Sequence, residues 1–208
     1  IANGSSSATT LNGDIYLSKG TAGVFINGTT EVIATDITAS NGVVHVIDRT
    51  LLPPSQTIAD IAIDFSDNAE PEFTQLVAAL LKVPTLLEAA DAEGNLTVFA
   101  PTDAAFEALY TALGVEDMDE LEAAIGNEKL AEVLQHHIVG ARVFSTDLSS
   151  GAVTTLNQDI TVNLTNLTIT DGNGSTPAAA LVSALLDVHA TNGVIHVIDK
   201  VLIPDGIL

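Results

Sequence analysis

A block of fourteen residues occurs twice in this chain, and that repeat constrains the fold more than any other feature. "NGVVHVIDRTLLPP" spans residues 41–54 and "NGVIHVIDKVLIPD" spans residues 192–205, so the copies lie 151 residues apart. Solenoid repeats recur every ~20–50 residues, whereas this spacing is the length of a whole domain. The sequence therefore predicts tandem domains.

Both copies close a strand-rich stretch. Residues 9–54 and 154–204 share short apolar runs separated by Gly and Asn, and both begin with "TTLN". This pattern predicts hairpins, and the Pro that follows each block ends its last strand because Pro cannot donate to a ladder. The second copy has extra residues, which we assign to the Ala-rich stretch "STPAAALVSALL".

The segment between the two strand-rich stretches has a helical pattern. Apolar residues recur at helical spacing in "EPEFTQLVAALLK", and further helices are predicted in "TDAAFEALYTALG" and "MDELEAAIGNEKLAEVLQHHIVG", with a break at Gly126. "LTVFAP" is predicted as a buried strand, "ARVFSTDLSSG" as a return to β structure, and "PPSQTIAD" as a short, stiff link. Residues 56–208 thus form a complete unit, and residues 1–55 contain a strand half alone.

Three stretches resemble the sequence blocks of fasciclin (FAS1) domains. They are "TVFAPTDAAFEAL" at 97–109, "VLQHHIVGARVFS" at 133–145 and "NGVIHVIDKVLIP" at 192–204. The resemblance implies an α+β fold, a twisted β-wedge or sandwich with a helical layer, in tandem. Residues 1–55 would be the C-terminal half of an upstream FAS1-like domain, and residues 56–208 a complete one. The chain departs from the family at His136, where Tyr is common.

The same resemblance implies a function. It predicts an extracellular cell-adhesion, matrix or biofilm protein, secreted or anchored outside this segment, that acts through FAS1-domain protein contacts and is not an enzyme. Cell-surface or matrix proteins would be its partners, with polysaccharide as a further candidate. The alternative is a secreted module that binds a small apolar or glycan ligand in a cleft of the β-wedge.

Two groups of residues are candidates for a site. The repeated His45 and His196 alternate with β-branched residues along a predicted strand, which favours polar core positions satisfied by hydrogen bonds. The corner formed by Thr102 and Asp103 is the expected partner in the complete domain. The predicted partner-binding surface lies at the helix–strand junction and comprises Leu134, His136, His137, Ile138 and Val139.

Charge and composition exclude several functions. Asp and Glu number 27 against 6 Lys and Arg, a net charge of −21 that repels nucleic acid and anionic membrane surfaces. The apolar runs are too short to span a membrane, and zero Cys excludes disulfides and thiolate chemistry. Asn-x-Ser/Thr triplets at Asn3, Asn27, Asn95, Asn163, Asn166 and Asn173 would be glycosylation acceptors in a eukaryotic secreted protein, or simply reflect a Thr- and Asn-rich composition.

The sequence predicts neither a metal, a cofactor nor a catalytic centre. His136 and His137 are adjacent, so on a helix their side chains diverge by about 100° and do not chelate one ion together. "DGNGS" at 171–175 resembles the start of a calcium loop but lacks the distal Glu, which favours a hairpin turn. There is no G-x-S-x-G nucleophile motif.

The strand half in residues 1–55 would leave an apolar sheet face uncovered. Either the missing half precedes Ile1 in a longer protein, or a neighbouring molecule supplies it through self-association of residues 1–55. We favour the first explanation, because tandem domains are common in the family that the sequence resembles.

Overall fold

The computed structural model describes residues 4–171 and 177–207. Apart from Asp171, the candidate calcium loop lies outside these residues. The chain divides into two compact units: Ile1–Pro54 with Phe144–Leu148, and Ser55–Val143 with Ser149–Leu208. We describe each unit by itself.

The helices lie in the second unit, whereas each of the two units has its own strands. The helices are α1 Ile58–Ser66, α2 Thr74–Lys82, α3 Pro84–Asp91, α4 Asp103–Leu113, α5 Met118–Ile125 and α6 Asn127–His136, with a short 3-10 turn at Ser183–Leu185. The strands are β1 Gly4–Thr10, β2 Gly13–Gly20, β3 Gly23–Ile26, β4 Thr30–Ala39, β5 Gly42–Ile47, β6 Leu96–Pro101, β7 Ile138–Val139, β8 Gly151–Thr154, β9 Asp159–Asn163, β10 Thr168–Thr170, β11 Ala179–Ala180, β12 Val188–Ala190 and β13 Gly193–Ile198.

The first unit is a five-stranded antiparallel meander in the order β1-β2-β3-β4-β5. Phe144–Leu148 belongs to this unit. Its Phe144 ring lies 5.8 Å from the ring of Tyr16, and Thr146 Oγ1 donates to Ser18 Oγ at 3.0 Å. These contacts place the segment against β2.

The second unit has three layers, and its central sheet has the order β12-β13-β6-β7. β6 and β13 run parallel, and their alternating side chains divide between two cores. Val98 and Ile195 pack with the helices, whereas Phe99 and Ile198 pack with the second sheet, β11-β10-β9-β8. This arrangement confirms the predicted α+β class with a helical layer.

Most helix boundaries agree with the sequence pattern. Thr102 caps α4 by accepting the N–H of Ala105, and Gly126, at φ 87°, separates α5 from α6. Two predictions were wrong. Part of the expected link forms α1, because Thr57 and Asp60 build a reciprocal capping box at its start. The stretch "ARVFSTDLSSG" at 141–151 was expected to be β structure, but only its last residue, Gly151, lies in a strand, at the start of β8.

Candidate functional site

His196 is a fully buried member of the central strand β13. Its Nδ1 accepts the backbone N–H of Asp187 at 3.3 Å, which leaves the ring proton on Nε2, and Nε2 donates to the carbonyl of Val143 at 2.9 Å. Burial lowers the pKa of His196, against the raising effects of the Val143 carbonyl and of Asp187. The ring is therefore neutral, and it connects three chain segments across the core.

His137 connects the end of the helical layer to the chain that follows β13. Its Nδ1 donates to the Val133 carbonyl at 2.7 Å, and its Nε2 accepts the N–H of Leu202 at 2.9 Å. Burial lowers its pKa to about 4, so this ring is also neutral at physiological pH. Both ring nitrogens are used by the backbone, which leaves His137 no lone pair for a ligand.

His136, the position at which the chain departs from the family, lies under the turn that follows β8. Its Nδ1 is 3.5 Å from Thr155 Oγ1, and burial lowers its pKa, partly offset by the charges of Asp171 and Asp205. Its Nε2 has no hydrogen-bond partner in the described chain. The two histidines point to different neighbours, as expected for adjacent residues on a helix. In the parts of the chain that the structure describes, no cluster of three or more His, Asp or Glu residues could hold a metal ion.

His45 keeps the local bond of its counterpart but not the burial. Its Nδ1 accepts the N–H of Asp36 at 3.2 Å, yet the side chain is exposed. The prediction that His45 is a core residue was wrong for this structure. His196 is enclosed by the ring of Phe99 on β6 and by the Val143 carbonyl, and the five-stranded sheet of the first unit contains no strand equivalent to β6.

The corner formed by Thr102 and Asp103 was predicted to hydrogen-bond to His196, but the structure gives Asp103 other partners. Asp103 accepts the hydroxyl of Thr74 at 2.7 Å and the N–H of Gln75 at 2.9 Å, so it caps the start of α2. Its own N–H donates to Glu72 Oε1 at 2.6 Å. The corner joins α2 to α4 and does not bond to His196, whose partners are the groups of Asp187 and Val143.

Two further side chains, Asn192 and Arg142, connect segments of the second unit and were not predicted from the sequence. Asn192 accepts the N–H of Ile58 at 2.9 Å and donates to the carbonyls of Ala90 and Ala92 at 2.7 and 2.8 Å. Arg142 donates to the carbonyls of Ala190, Thr191 and Gly193 and to Asn95 Oδ1. The repetition of Asn at positions 41 and 192 could have indicated the structural role of Asn192, whereas no local sequence pattern indicates that of Arg142.

The five residues predicted to bind a partner are all buried. They comprise Leu134, His136, His137, Ile138 and Val139. Leu134 and Ile138 belong to the core between helices and sheet, and Val139 to the core between the sheets. These side chains therefore do not form a surface in this structure, and partner binding through them stays a prediction.

The surface above this buried segment is formed by the turn at residues 155–158. Leu156 donates its N–H to the Ile138 carbonyl at 2.7 Å, and its side chain is 50% exposed. Thr155 Oγ1 donates to the Gln158 carbonyl at 2.6 Å and accepts the N–H of Asn157 at 3.1 Å. The hydroxyl thus fixes the turn with Leu156 directed to solvent.

The same turn occurs in the first unit. Thr10 Oγ1 donates to the Gly13 carbonyl at 2.6 Å and accepts the N–H of Asn12 at 3.1 Å, and Leu11 at the tip is fully exposed. Both repeats of "TTLN" therefore present a leucine to solvent on a Thr-locked turn.

The core of the second unit contains a cavity between the helices and the central sheet. Its walls include Ile58, Phe73, Leu76, Ile138 and Ile195, and its volume is about 30 Å³. A cavity needs about 10–15 Å³ by this measure to hold one water, so the space takes a few atoms at most. A drug-sized ligand requires far more room.

The geometry defines a class of protein: a module in which a strand-rich half and a helical half share one central sheet around buried histidines. The fasciclin domain model matches residues 1–53 and 71–204. This chain belongs to the fasciclin domain family.

The share of each relative's length that this chain covers differs widely. Protein sll1483 of Synechocystis is 34% identical over 159 residues, which are 76% of this chain and 79% of that protein. Human periostin is 34% identical over 169 residues, 81% of this chain but 18% of periostin. Rabbit transforming growth factor-beta-induced protein ig-h3 is 34% identical, and 23% of it is covered. The chain thus spans less than a quarter of these two animal proteins.

A solved structure shows the same fold. The FAS1 domain pair of the insect cell adhesion molecule fasciclin I matches 98% of this chain and 68% of its own, with a TM-score of 0.56 and 16% identity. At that identity the match shows the fold alone. Among the described residues, no helix has the length and apolar character needed to cross a membrane.

Proposed function

We propose that this protein is an extracellular adhesion or matrix module that acts through contacts with other proteins, and that Leu156 anchors one such contact. The observation that carries the proposal is the Thr155 turn, which holds a half-exposed leucine above the His136–His137 segment. Membership of the fasciclin domain family supports the general class.

The turn has the properties of a preformed contact. Its backbone is held by the Thr155 hydroxyl and by the bond from Leu156 to the Ile138 carbonyl, so little entropy is lost when a partner binds. The side-chain amide of Gln158 makes two bonds to the backbone of Asp205. Its Oε1 accepts the Asp205 N–H at 3.1 Å, and its Nε2 donates to the Asp205 carbonyl at 3.4 Å.

Charge suggests the nature of the partner. Two exposed carboxylates lie near the turn. Asp159 follows it directly in sequence, and Asp205 is hydrogen-bonded to Gln158 of the turn. The whole chain has a net charge of −21. An acidic surface attracts a partner with a basic rim and repels a second acidic protein. We therefore expect a partner that offers a small apolar pocket surrounded by Lys and Arg.

The test is an adhesion assay with immobilised protein. Residues 1–208 would be coated on a surface and the attachment of cells from the natural source measured, with Leu156→Asp as the variant. A charged side chain cannot enter an apolar pocket, so attachment should fall at least about tenfold, the effect of losing ~1.4 kcal/mol. Soluble wild-type protein should compete with the coated protein.

Leu81→Asp is the matched control. Leu81 is also an exposed leucine, on α2, but it is not part of the Thr155 turn. Both variants should melt within a few degrees of the wild type, because neither position is buried. Equal attachment by Leu156→Asp and wild type would remove the proposed anchor, and no attachment by any of the three proteins would contradict the adhesion function.

The alternative of a small-ligand module stays a prediction. An apolar ligand has little room in the 30 Å³ cavity. A glycan platform generally stacks sugars on aromatic rings, and the chain has two Tyr and no Trp. A glycan array on the same protein would detect it.

A further inference from the structure

Half of the asparagines in this chain stand directly before a glycine. The six Asn-Gly pairs begin at Asn3, Asn12, Asn27, Asn41, Asn173 and Asn192. Four of these asparagines, at positions 12, 27, 41 and 192, lie among the described residues, each in the turn of a hairpin. An Asn side-chain amide is most easily lost before glycine, because glycine has no Cβ to hinder attack by its backbone nitrogen on the amide carbon. The surroundings of each turn therefore decide which pairs react.

Asn12 lies at the tip of the hairpin of β1 and β2 with an unrestrained side chain. Both Asn12 and Gly13 are exposed, as is Leu11 beside them. The hydrogen bond of Asn12 to Thr10 Oγ1 uses its backbone N–H, and in residues 4–171 and 177–207 its side-chain amide has no partner. The side chain can therefore rotate until its Cγ lies within the ~3–3.5 Å of the Gly13 nitrogen that a reaction requires, without breaking a hydrogen bond.

Asn27 and Asn192 are held in place by hydrogen bonds of their side chains. The side chain of Asn27 accepts the N–H of Tyr16 at 2.9 Å, and its own backbone N–H donates to the Tyr16 carbonyl at 2.8 Å. Asn192 is 3% exposed, and its side chain makes three hydrogen bonds to the backbone. In both residues the amide must leave its partners before it can react, which requires a local opening of the fold.

We propose that Asn12 is a site of spontaneous deamidation. The Gly13 nitrogen attacks Cγ of Asn12 and gives up its proton to water, the bond from Cγ to the side-chain nitrogen breaks, and that nitrogen takes up a proton and leaves as ammonia. Water then opens the resulting cyclic imide at one of its two carbonyls, which gives aspartate or isoaspartate. Water is the sole co-reactant, and no atom is oxidised or reduced. Asn41 also has an exposed side chain without a partner in the described ranges, and we assign it to the same class.

Deamidation of Asn12 changes the turn that carries Leu11. Either product adds a carboxylate to a chain of net charge −21, and isoaspartate also adds a methylene to the backbone between Thr10 and Gly13. Thr10 Oγ1 bonds both to the Asn12 N–H and to the Gly13 carbonyl, so a longer backbone breaks this lock. Leu11 then loses its fixed position at the tip.

The equivalent turn of the second unit is protected by its sequence. There Asn157 is followed by Gln158, where the first unit has Gly13. The Gln158 side chain places a Cβ beside the attacking nitrogen, and its amide is bonded to the backbone of Asp205. Of the two Thr-locked turns that present a leucine, deamidation thus alters the one in the first unit and spares the one in the second.

The test is to store the 208-residue protein at physiological pH and temperature and to follow each asparagine by peptide mass spectrometry. Digestion with pepsin in acid stops the reaction, the replacement of NH2 by OH raises the mass of the peptide, and fragmentation assigns the gain to a residue. Asn12 should react at least about 100-fold faster than Asn192, which three hydrogen bonds hold, and at least about fivefold faster than Asn27, whose side chain one bond holds. Equal rates at Asn12 and Asn192, or an Asn12 that stays unmodified, would overturn the proposal.

Two comparisons separate the effect of the fold from that of the local sequence. In urea, Asn12, Asn27 and Asn192 should react at similar rates, because each precedes glycine and the fold no longer holds any of them; rates that kept their order would show that the hydrogen bonds do not set it. Gln158→Gly is the matched variant, since it gives the second unit the "TTLNG" sequence of the first. Asn157 should deamidate in this variant and not in the wild type. An intact Asn157 in Gln158→Gly while Asn12 reacts would contradict the role assigned to glycine in this turn.

Discussion

His45 and His196 accept the same backbone hydrogen bond, one in each unit of the chain. The donors are the N–H groups of Asp36 and Asp187, at 3.2 and 3.3 Å, and both aspartates have a positive φ, 59° and 57°. The local geometry is therefore repeated, while the burial of the two rings is opposite. This pair allows the cost of each histidine to be measured in two environments within one protein.

The first prediction compares these two histidines. His196→Ala should lower the free energy of unfolding by about 1–3 kcal/mol, because it strands the Asp187 N–H and the Val143 carbonyl in the core. His45→Ala should change it by less than about 0.5 kcal/mol, since that ring is in water. Urea denaturation of both variants measures the difference. Equal costs would show that burial is not what makes His196 matter.

The second prediction concerns Asn192. Asn192→Ala removes three hydrogen bonds and leaves the buried groups of Ile58 and Ala90 unpaired, so we expect a loss of about 2–4 kcal/mol. Asn41→Ala, at the equivalent exposed position, should lie within about 0.5 kcal/mol of the wild type. Thermal melts of the two variants decide the matter, and a stable Asn192→Ala protein would refute the connector role.

The third prediction is that mild acid destabilises the second unit. The pKa of His137 is lowered from 6.5 to about 4 in the folded state, so the unfolded chain binds more protons between these values. Its contribution is fully present above pH ~6.5 and is lost as the pH falls toward 4, by about 1.4 kcal/mol per pH unit and about 3 kcal/mol in all. The lowered pKa of His196 acts in the same direction.

Urea denaturation between pH 7.5 and 5.5 tests this, because most carboxylates remain ionised over that range. The free energy of unfolding should fall toward pH 5.5, and the slope should be smaller in His137→Gln, which has no imidazole at this position. A slope that is the same in His137→Gln and in the wild type would contradict a buried, neutral His137.

The fourth prediction is that salt stabilises the protein. At −21 the carboxylates repel one another, and ions screen that repulsion over a Debye length of roughly 8–10 Å at physiological strength. The melting temperature should rise from dilute buffer to molar NaCl, and KCl should act in the same way. A melting temperature that falls with salt would mean that the few ion pairs, such as Lys82 with Asp119 and Glu122, outweigh the repulsion.

Local sequence patterns determined most of the elements of this protein. The "LTVFAP" strand and the break at Gly126 follow from the pattern of apolar residues and from the residues at the ends of the elements. The α1 helix was missed because a Pro-Pro pair just before it suggested a linker, whereas the capping box of Thr57 and Asp60 starts a helix. These are interactions between residues close in the chain, which is why the sequence carries their signal.

Only the tertiary structure decided what each residue faces. Nearly the same fourteen residues are exposed in the first unit and buried in the second, because burial depends on a helical layer that lies far away in sequence. For the same reason the segment 134–139 proved to be interior, and Leu156 and Asn192 became visible only in three dimensions. Hydrogen bonds such as Asn192 to Ile58 join residues 134 positions apart, and no local pattern specifies them.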